Sequence, residues 1–236
     1  MKIEEIKKIF TSSLGENEVA FLFLGYSGVI IKTSKGTIII DPADLLKGKE
    51  LKTLKAGGVN LLLFTHSHGD HYNHKDALAL FKATNALVIA EPSVYHSLQD
   101  EIPLNKLISA LPGITYTVDE ITINAIKGIH VGSINLYQIQ IGGISIFHGG
   151  DSDYVPIKDY PSDLAFLPTG DPSPTASPQG AFNMASDLNP SVIVAIHGSM
   201  GQSKEFEQKI KEKLPHTIVI IPEPYRSKIV TLRKRT

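Results

Sequence analysis

The chain has 236 residues, 42% of them hydrophobic and 20% charged, with a mean hydropathy of +0.02, so it can fill a core and is neither disordered, collagen-like nor a coiled coil. With 23 basic residues against 24 acidic ones the net charge is −1, which supplies no general pull towards nucleic acid or an anionic membrane. Cysteine is absent, so disulfides, thiolate metal sites and a cysteine nucleophile are excluded, and any transition-metal site must be built from histidines and carboxylates.

The opening residues mix acids and bases at helical spacing without an apolar signal core, and no later stretch is apolar for the roughly 18 residues a membrane span needs. The expected address is the cytoplasm. Ile3, Ile6, Ile9 and Phe10 form one stripe, which predicts a short amphipathic helix over 3–14. Short β-branched or aromatic runs at 19–24, 29–32 and 37–40 are separated by Gly25-Tyr26-Ser27-Gly28 and Ser34-Lys35-Gly36, the turn chemistry of a meander. A buried-looking strand at 61–64 runs into Thr65-His66-Ser67-His68-Gly69-Asp70-His71, followed by a helix over 75–83 and a strand over 86–90. Further strands are expected at 121–126, 134–141, 144–147, 164–167, 192–196, 217–221 and 229–232, with helices over 179–188 and 203–214, the latter capped by Ser203. The Pro-rich segment 168–178 reads as a loop inside one domain covering 1–236, because periodic elements resume on both sides.

His66-x-His68-x-Asp70-His71 places four potential ligands in six residues at the mouth of a strand. Imidazole and carboxylate suit zinc, iron and manganese, and an internal cluster between two well-formed elements is a poor fit to a solvated polar loop. His130, Asp151 and His197 each follow an apolar run beside glycine, as a sheet edge presents a side chain to a ligand. A lone histidine at such a position is more often a core residue; the three together with the loop make seven ligands, enough for two metals.

These residues resemble the metallo-β-lactamase superfamily of metal-dependent hydrolases, with the ligands in the family's order along nearly the whole chain. Phe23-Leu24-Gly25-Tyr26-Ser27-Gly28, Ile38-Ile39-Ile40-Asp41-Pro42 and Phe147-His148-Gly149-Gly150-Asp151-Ser152 are similar to the branch that resembles L-ascorbate-6-phosphate lactonase, except that Tyr26 stands where many members carry histidine. The resemblance implies an α/β fold in the form of a four-layer αββα sandwich. It also implies a dinuclear centre: His66, His68 and His130 on one metal, Asp70, His71 and His197 on the other, and Asp151 bridging them. The ions implied are two divalent metals, zinc first, with Mn2+, Fe2+ or Ni2+ as alternatives. A hydroxide bridging them would attack a small ester, lactone, amide or phosphodiester, with Asp70 as the catalytic residue that orients it or relays its proton.

Asp41 is expected to lie hydrogen-bonded beneath the histidine loop. His148 and Tyr154 are weak substrate-binding candidates. Tyr72, Tyr225 and Arg226 could line a pocket but read more readily as ordinary surface residues, as do His74, His96 and His216. The alternatives are a mononuclear-iron redox enzyme of sulfur dioxygenase type, a small nuclease or phosphodiesterase, and a binding module without metal; His68 stands where flavodiiron oxidases carry glutamate. Short intervals between the motifs leave no room for an RNA-gripping insert, so a small-molecule substrate is expected and nucleic acid and membrane are not, despite the local basic run Arg233-Lys234-Arg235. A homo-oligomer is left open.

Overall fold

The β-branched runs pair into two seven-stranded mixed sheets, each carrying helices, so the α/β class is as expected. This is a computed structural model describing residues 2–171 and 173–233; Lys234 and Arg235 of the basic run lie outside the described residues. The chain divides into one unit made of residues up to 111 together with 223–230, and a second made of 112–222 with the residues from 231.

The first unit opens with α1 (Lys2–Thr11) and a meander of β1 (Glu18–Gly25), β2 (Gly28–Thr33) and β3 (Gly36–Ile40). From β3 onward the strands run parallel: β4 (Leu61–Phe64), β5 (Leu87–Ala90) and β6 (Leu107–Ser109), connected through α2 (Lys49–Gly57), α3 (His74–Thr84) and α4 (Pro92–Leu98). Parallel strands need such crossovers, and strands buried on both faces read as continuous apolar runs, as Leu61–Phe64 does. Ile6, Ile9, Leu54, Leu80, Phe81 and Val94 on the helices share a buried cluster with Leu22, Leu24, Ile39, Leu62, Phe64 and Val88 of the sheet. Each such side chain removed from water contributes about 1.5–3 kcal/mol.

The second unit follows the same plan. β7 (Thr115–Val118), β8 (Ile121–Lys127), β9 (Asn135–Ile141) and β10 (Ile144–His148) are antiparallel neighbours. β11 (Leu164–Pro168), β12 (Val192–Ile196) and β13 (Ile218–Ile220) then add in parallel, with α5 (Pro178–Leu188) and α6 (Met200–Lys213) in the crossovers. Phe147, Leu167, Met184, Leu188, Ile193, Phe206 and Ile210 belong to its buried cluster. The chain ends by returning to the first sheet, where β14 (Ser227–Thr231) lies beside β1.

Four helices depart from expectation, and the strands β6 and β7 were not anticipated either. The first helix stops at Thr11, and Leu14 lies outside it. α6 begins three residues before Ser203: Ser199 is the cap, its Oγ accepting from the Gln202 N–H while the Gln202 side chain accepts from the Ser199 N–H, and Ser203 is buried inside the helix. That reciprocal cap satisfies two helix-end donors at once. α2 and α4 were not anticipated, because α2 buries only Leu54 and α4 spans seven residues, too few for a clear helical period; the signal for α4 was Glu91 capping a turn that opens on Pro92.

Candidate metal centre

Six of the seven motif residues follow the carboxyl ends of parallel strands, where open α/β sheets present their ligands. In the first unit β4 delivers the histidine loop. It closes on itself where the His71 and Tyr72 N–H groups both donate to the His68 carbonyl, at 3.0 and 2.8 Å. The rings of His66 and His68 have centroids 4.5 Å apart, and those of His66 and His71 4.1 Å.

Asp41, at the end of neighbouring β3, is fully buried and holds this loop as anticipated. Its Oδ1 accepts from the Thr65 N–H at 2.8 Å, and its Oδ2 accepts from the Thr65 hydroxyl at 2.5 Å and from His71 Nδ1 at 2.8 Å. Thr65 Oγ1 in turn lies 3.1 Å from His66 Nδ1. The Asp70 carboxylate is 29% exposed, with Oδ2 at 3.8 Å from His71 Nε2.

In the second unit Asp151 follows β10, His197 follows β12, and His130 sits on the loop after β8. Asp151 Oδ2 lies 3.3 Å from His130 Nε2 and 3.5 Å from His197 Nε2, and all three side chains are at most 3% exposed. Here the structure brings the three predicted residues together. His197 adopts a left-handed backbone, φ 45°, and its Nδ1 faces the Gly170 carbonyl at 3.3 Å. Gly198 is required beside it, since a Cβ there would overlap the Thr169 hydroxyl.

The donor chemistry fits a cation. His71 and His197 have Nδ1 against a carboxylate and a carbonyl, which only accept, so each ring donates from Nδ1. His66 and His130 have Nδ1 against the hydroxyls of Thr65 and Thr175, and each hydroxyl has a proton-free oxygen of Asp41 or Asp151 on which to place its own proton. His71 and His197 therefore carry their proton on Nδ1 when neutral and turn a lone pair out through Nε2, as metal-binding histidines oriented by oxygen partners do, and His66 and His130 do the same wherever their threonine hydroxyls donate to those Asp oxygens. The two threonines escaped sequence reasoning, since a common hydroxyl residue outside the histidine spacing carries no signal of its own.

The weaker candidates fall elsewhere. His148 is fully buried, its Nδ1 accepting from the Gly150 N–H at 3.2 Å and its ring 6.0 Å from that of Phe166. Tyr154 donates to Asp187 at 3.0 Å, and that carboxylate pushes its phenol up. Tyr26 is 47% exposed in the β1–β2 turn. Tyr72 contacts Ser97 and His74, burial pushes its phenol up, and His74 pairs with Glu101 at 2.7 Å. His96 donates to the Pro92 carbonyl within α4, and His216 is exposed. The Tyr225 ring lies 4.3 Å from Lys2 Nζ, and Arg226 pairs with Glu223 at 2.8 Å. Arg226 also borders a cleft of about 590 Å³ that Glu5, Lys8 and Ser227 help to line and that contains none of the seven motif residues.

The pattern described as the beta-lactamase superfamily domain matches residues 20–197, a span that contains every one of the seven. The chain belongs to the beta-lactamase superfamily. Within the superfamily it is similar to a UPF0173 metal-dependent hydrolase of Thermus thermophilus, 31% identical over 215 residues that cover 81% of this chain and 91% of the relative. Igni18, a metallo hydrolase from the archaeon Ignicoccus hospitalis, shares the superfamily fold with a TM-score of 0.76 at 23% identity, over 92% of this chain and 100% of that one. CmlA, a diiron β-hydroxylase from Streptomyces venezuelae, gives a TM-score of 0.69 at 14% identity, over 94% of this chain and 55% of that one. The superfamily fold is thus shared by proteins named for hydrolysis and for oxygen chemistry, and function must be argued from the site.

Proposed function

We propose that the chain is a metal-dependent hydrolase whose two units act as one catalytic domain, holding two divalent ions, zinc first, and cleaving a small ester, lactone, amide or phosphodiester. His66, His68 and His130 would hold one ion, Asp70, His71 and His197 the other, with Asp151 common to both. The observation that carries this reading is the common orientation of four imidazoles, each with Nδ1 on an oxygen, together with the approach of two Nε2 atoms to one Asp151 oxygen. Two electron-rich nitrogens and a carboxylate oxygen at 3.3–3.5 Å repel one another unless a cation or a proton lies among them. The similarity to proteins named metal-dependent hydrolases favours the cation.

When bound, such an ion pair supplies an acidified water as nucleophile and a Lewis acid for the attacked oxygen. The chain's own residues fix the geometry. Asp41 and Thr65 lock the histidine loop, while Asp70, the most accessible of the carboxylates involved, takes a proton from the nucleophile and passes it to the leaving group. The substrate is a small molecule rather than nucleic acid, in keeping with the net charge of −1. No helix among the described residues is long and apolar enough to cross a membrane.

The test is elemental analysis of purified protein, before and after dialysis against zinc or manganese, with a screen of lactone, ester, amide and phosphodiester substrates. Two ions per chain and metal-dependent turnover are expected, and Asp151→Asn and His68→Ala should each abolish turnover in a folded protein. A single bound iron without hydrolysis, no metal after reconstitution, or near-normal turnover in either variant overturns the reading.

A further inference from the structure

Thr175 lies between β11 and α5, with its Oγ1 2.8 Å from His130 Nδ1 and 3.3 Å from the backbone carbonyl oxygen of Asp151. A hydroxyl has one proton to give. The carbonyl can only accept it, and when the proton is directed there the ring nitrogen is the donor. Had the hydroxyl donated to Nδ1 instead, the imidazole proton would sit on Nε2, between the ring and Asp151 Oδ2, where it blocks ligation. One side chain therefore decides which face of His130 is metal-ready.

We propose that Thr175 is a positioning residue of the metal centre, holding His130 in the Nδ1–H form with Nε2 turned towards Asp151. This rests on the dinuclear reading above. The same hydroxyl ties the backbone of Asp151, so histidine and carboxylate are set as a pair, and the Ser173 hydroxyl donates to the same carbonyl at 2.8 Å as a second tie that does not reach His130. Thr65 serves His66 in the same way, passing its proton to Asp41 while facing Nδ1. The difference lies in what carries the hydroxyl. Thr65 is fully buried at a strand end, whereas Thr175 is half-buried on a loop without regular structure, so the grip on His130 depends on where that loop lies.

The experiment compares full-length wild type, Thr175→Val, Thr175→Ala, Thr175→Ser and Ser173→Ala. Zinc affinity is read by chelator competition, and the Nδ1–H resonances of the zinc-loaded protein by nitrogen-15 NMR of the imidazoles. Thr175→Val and Thr175→Ala are expected to lose about 10–100-fold in zinc affinity, the usual effect of removing a partner behind a metal-binding histidine. They should also lose the exchange-protected His130 Nδ1–H signal, while the His71 signal, anchored by Asp41, persists as a control for folding. Thr175→Ser should restore both, and Ser173→Ala should keep the His130 signal with a smaller loss of affinity. Wild-type affinity and signal in the valine and alanine variants, or equal losses in Ser173→Ala, overturn the proposal and leave the dinuclear reading standing. A wild type that takes up no zinc overturns both.

Discussion

Asp41 and His197 both adopt φ 45° at the end of a parallel strand, one in each unit. Left-handed backbone is uncommon for a residue with a side chain, though Asp and His tolerate it better than most. In each case the polar side chain meets a partner of its own unit, His71 for Asp41 and the Gly170 carbonyl for His197. The acidic role of Asp41 can be tested by Asp41→Asn, which keeps the volume but gives the buried site an amide whose N–H faces a donor. His71 would then have to accept at Nδ1 and carry its proton on Nε2. The variant should bind zinc about 10–100-fold more weakly in chelator competition, and unchanged affinity would remove His71 from the ligand set. Of these residues the histidines and Asp151 were legible in the sequence, because clustered imidazoles at strand ends are rare by chance. Thr65 and Thr175 were not, because their role depends on which oxygen faces them in space.

At the scale of elements, most strands and the longer helices followed from periodicity, while caps, short helices and the short strands β6 and β7 did not. Ser199 and Ser203 illustrate the limit: both precede or enter an apolar stripe, and only the reciprocal bonds with Gln202 single out Ser199 as the cap. Ser199→Ala should cost about 1 kcal/mol in denaturant unfolding. A loss no larger than a few tenths would mean that the capping box contributes little. α1 is fixed differently, by Glu5 accepting from the Ser227 N–H and hydroxyl of β14 and pairing with Lys8. Those donors, Lys8 first, hold the Glu5 carboxyl down from an ordinary 4.5 to about 2. A depressed folded value means stability that is fully present above about 4.5 and lost as the pH falls through about 2. Glu5→Gln should therefore be about 1 kcal/mol less stable than wild type at neutral pH, after allowance for screening near the surface. The gap should close as unfolding is measured from pH 4.5 down towards 2; a gap independent of pH would assign the loss to packing instead.

At the scale of the molecule, one sheet plan occurs twice, an antiparallel meander followed by parallel strands, and this duplication was not visible as a sequence repeat. The first unit is also discontinuous, since β14 comes home to β1 only after residues 112–222 of the second unit have been made. On a ribosome, β1 therefore emerges with a vacant edge and waits for about two hundred residues more, a separation that follows from the positions of the two strands. An open apolar edge of this kind pairs readily with other chains. Truncation after Pro222 should give a product that aggregates in light scattering, while the intact chain stays monodisperse under the same conditions. A soluble, cooperatively melting truncation would show that β14 is dispensable. The arrangement makes completion of the first unit a report on synthesis of the second: a prematurely terminated chain cannot close its first sheet, and it advertises the defect as an unpaired strand that quality control can recognise.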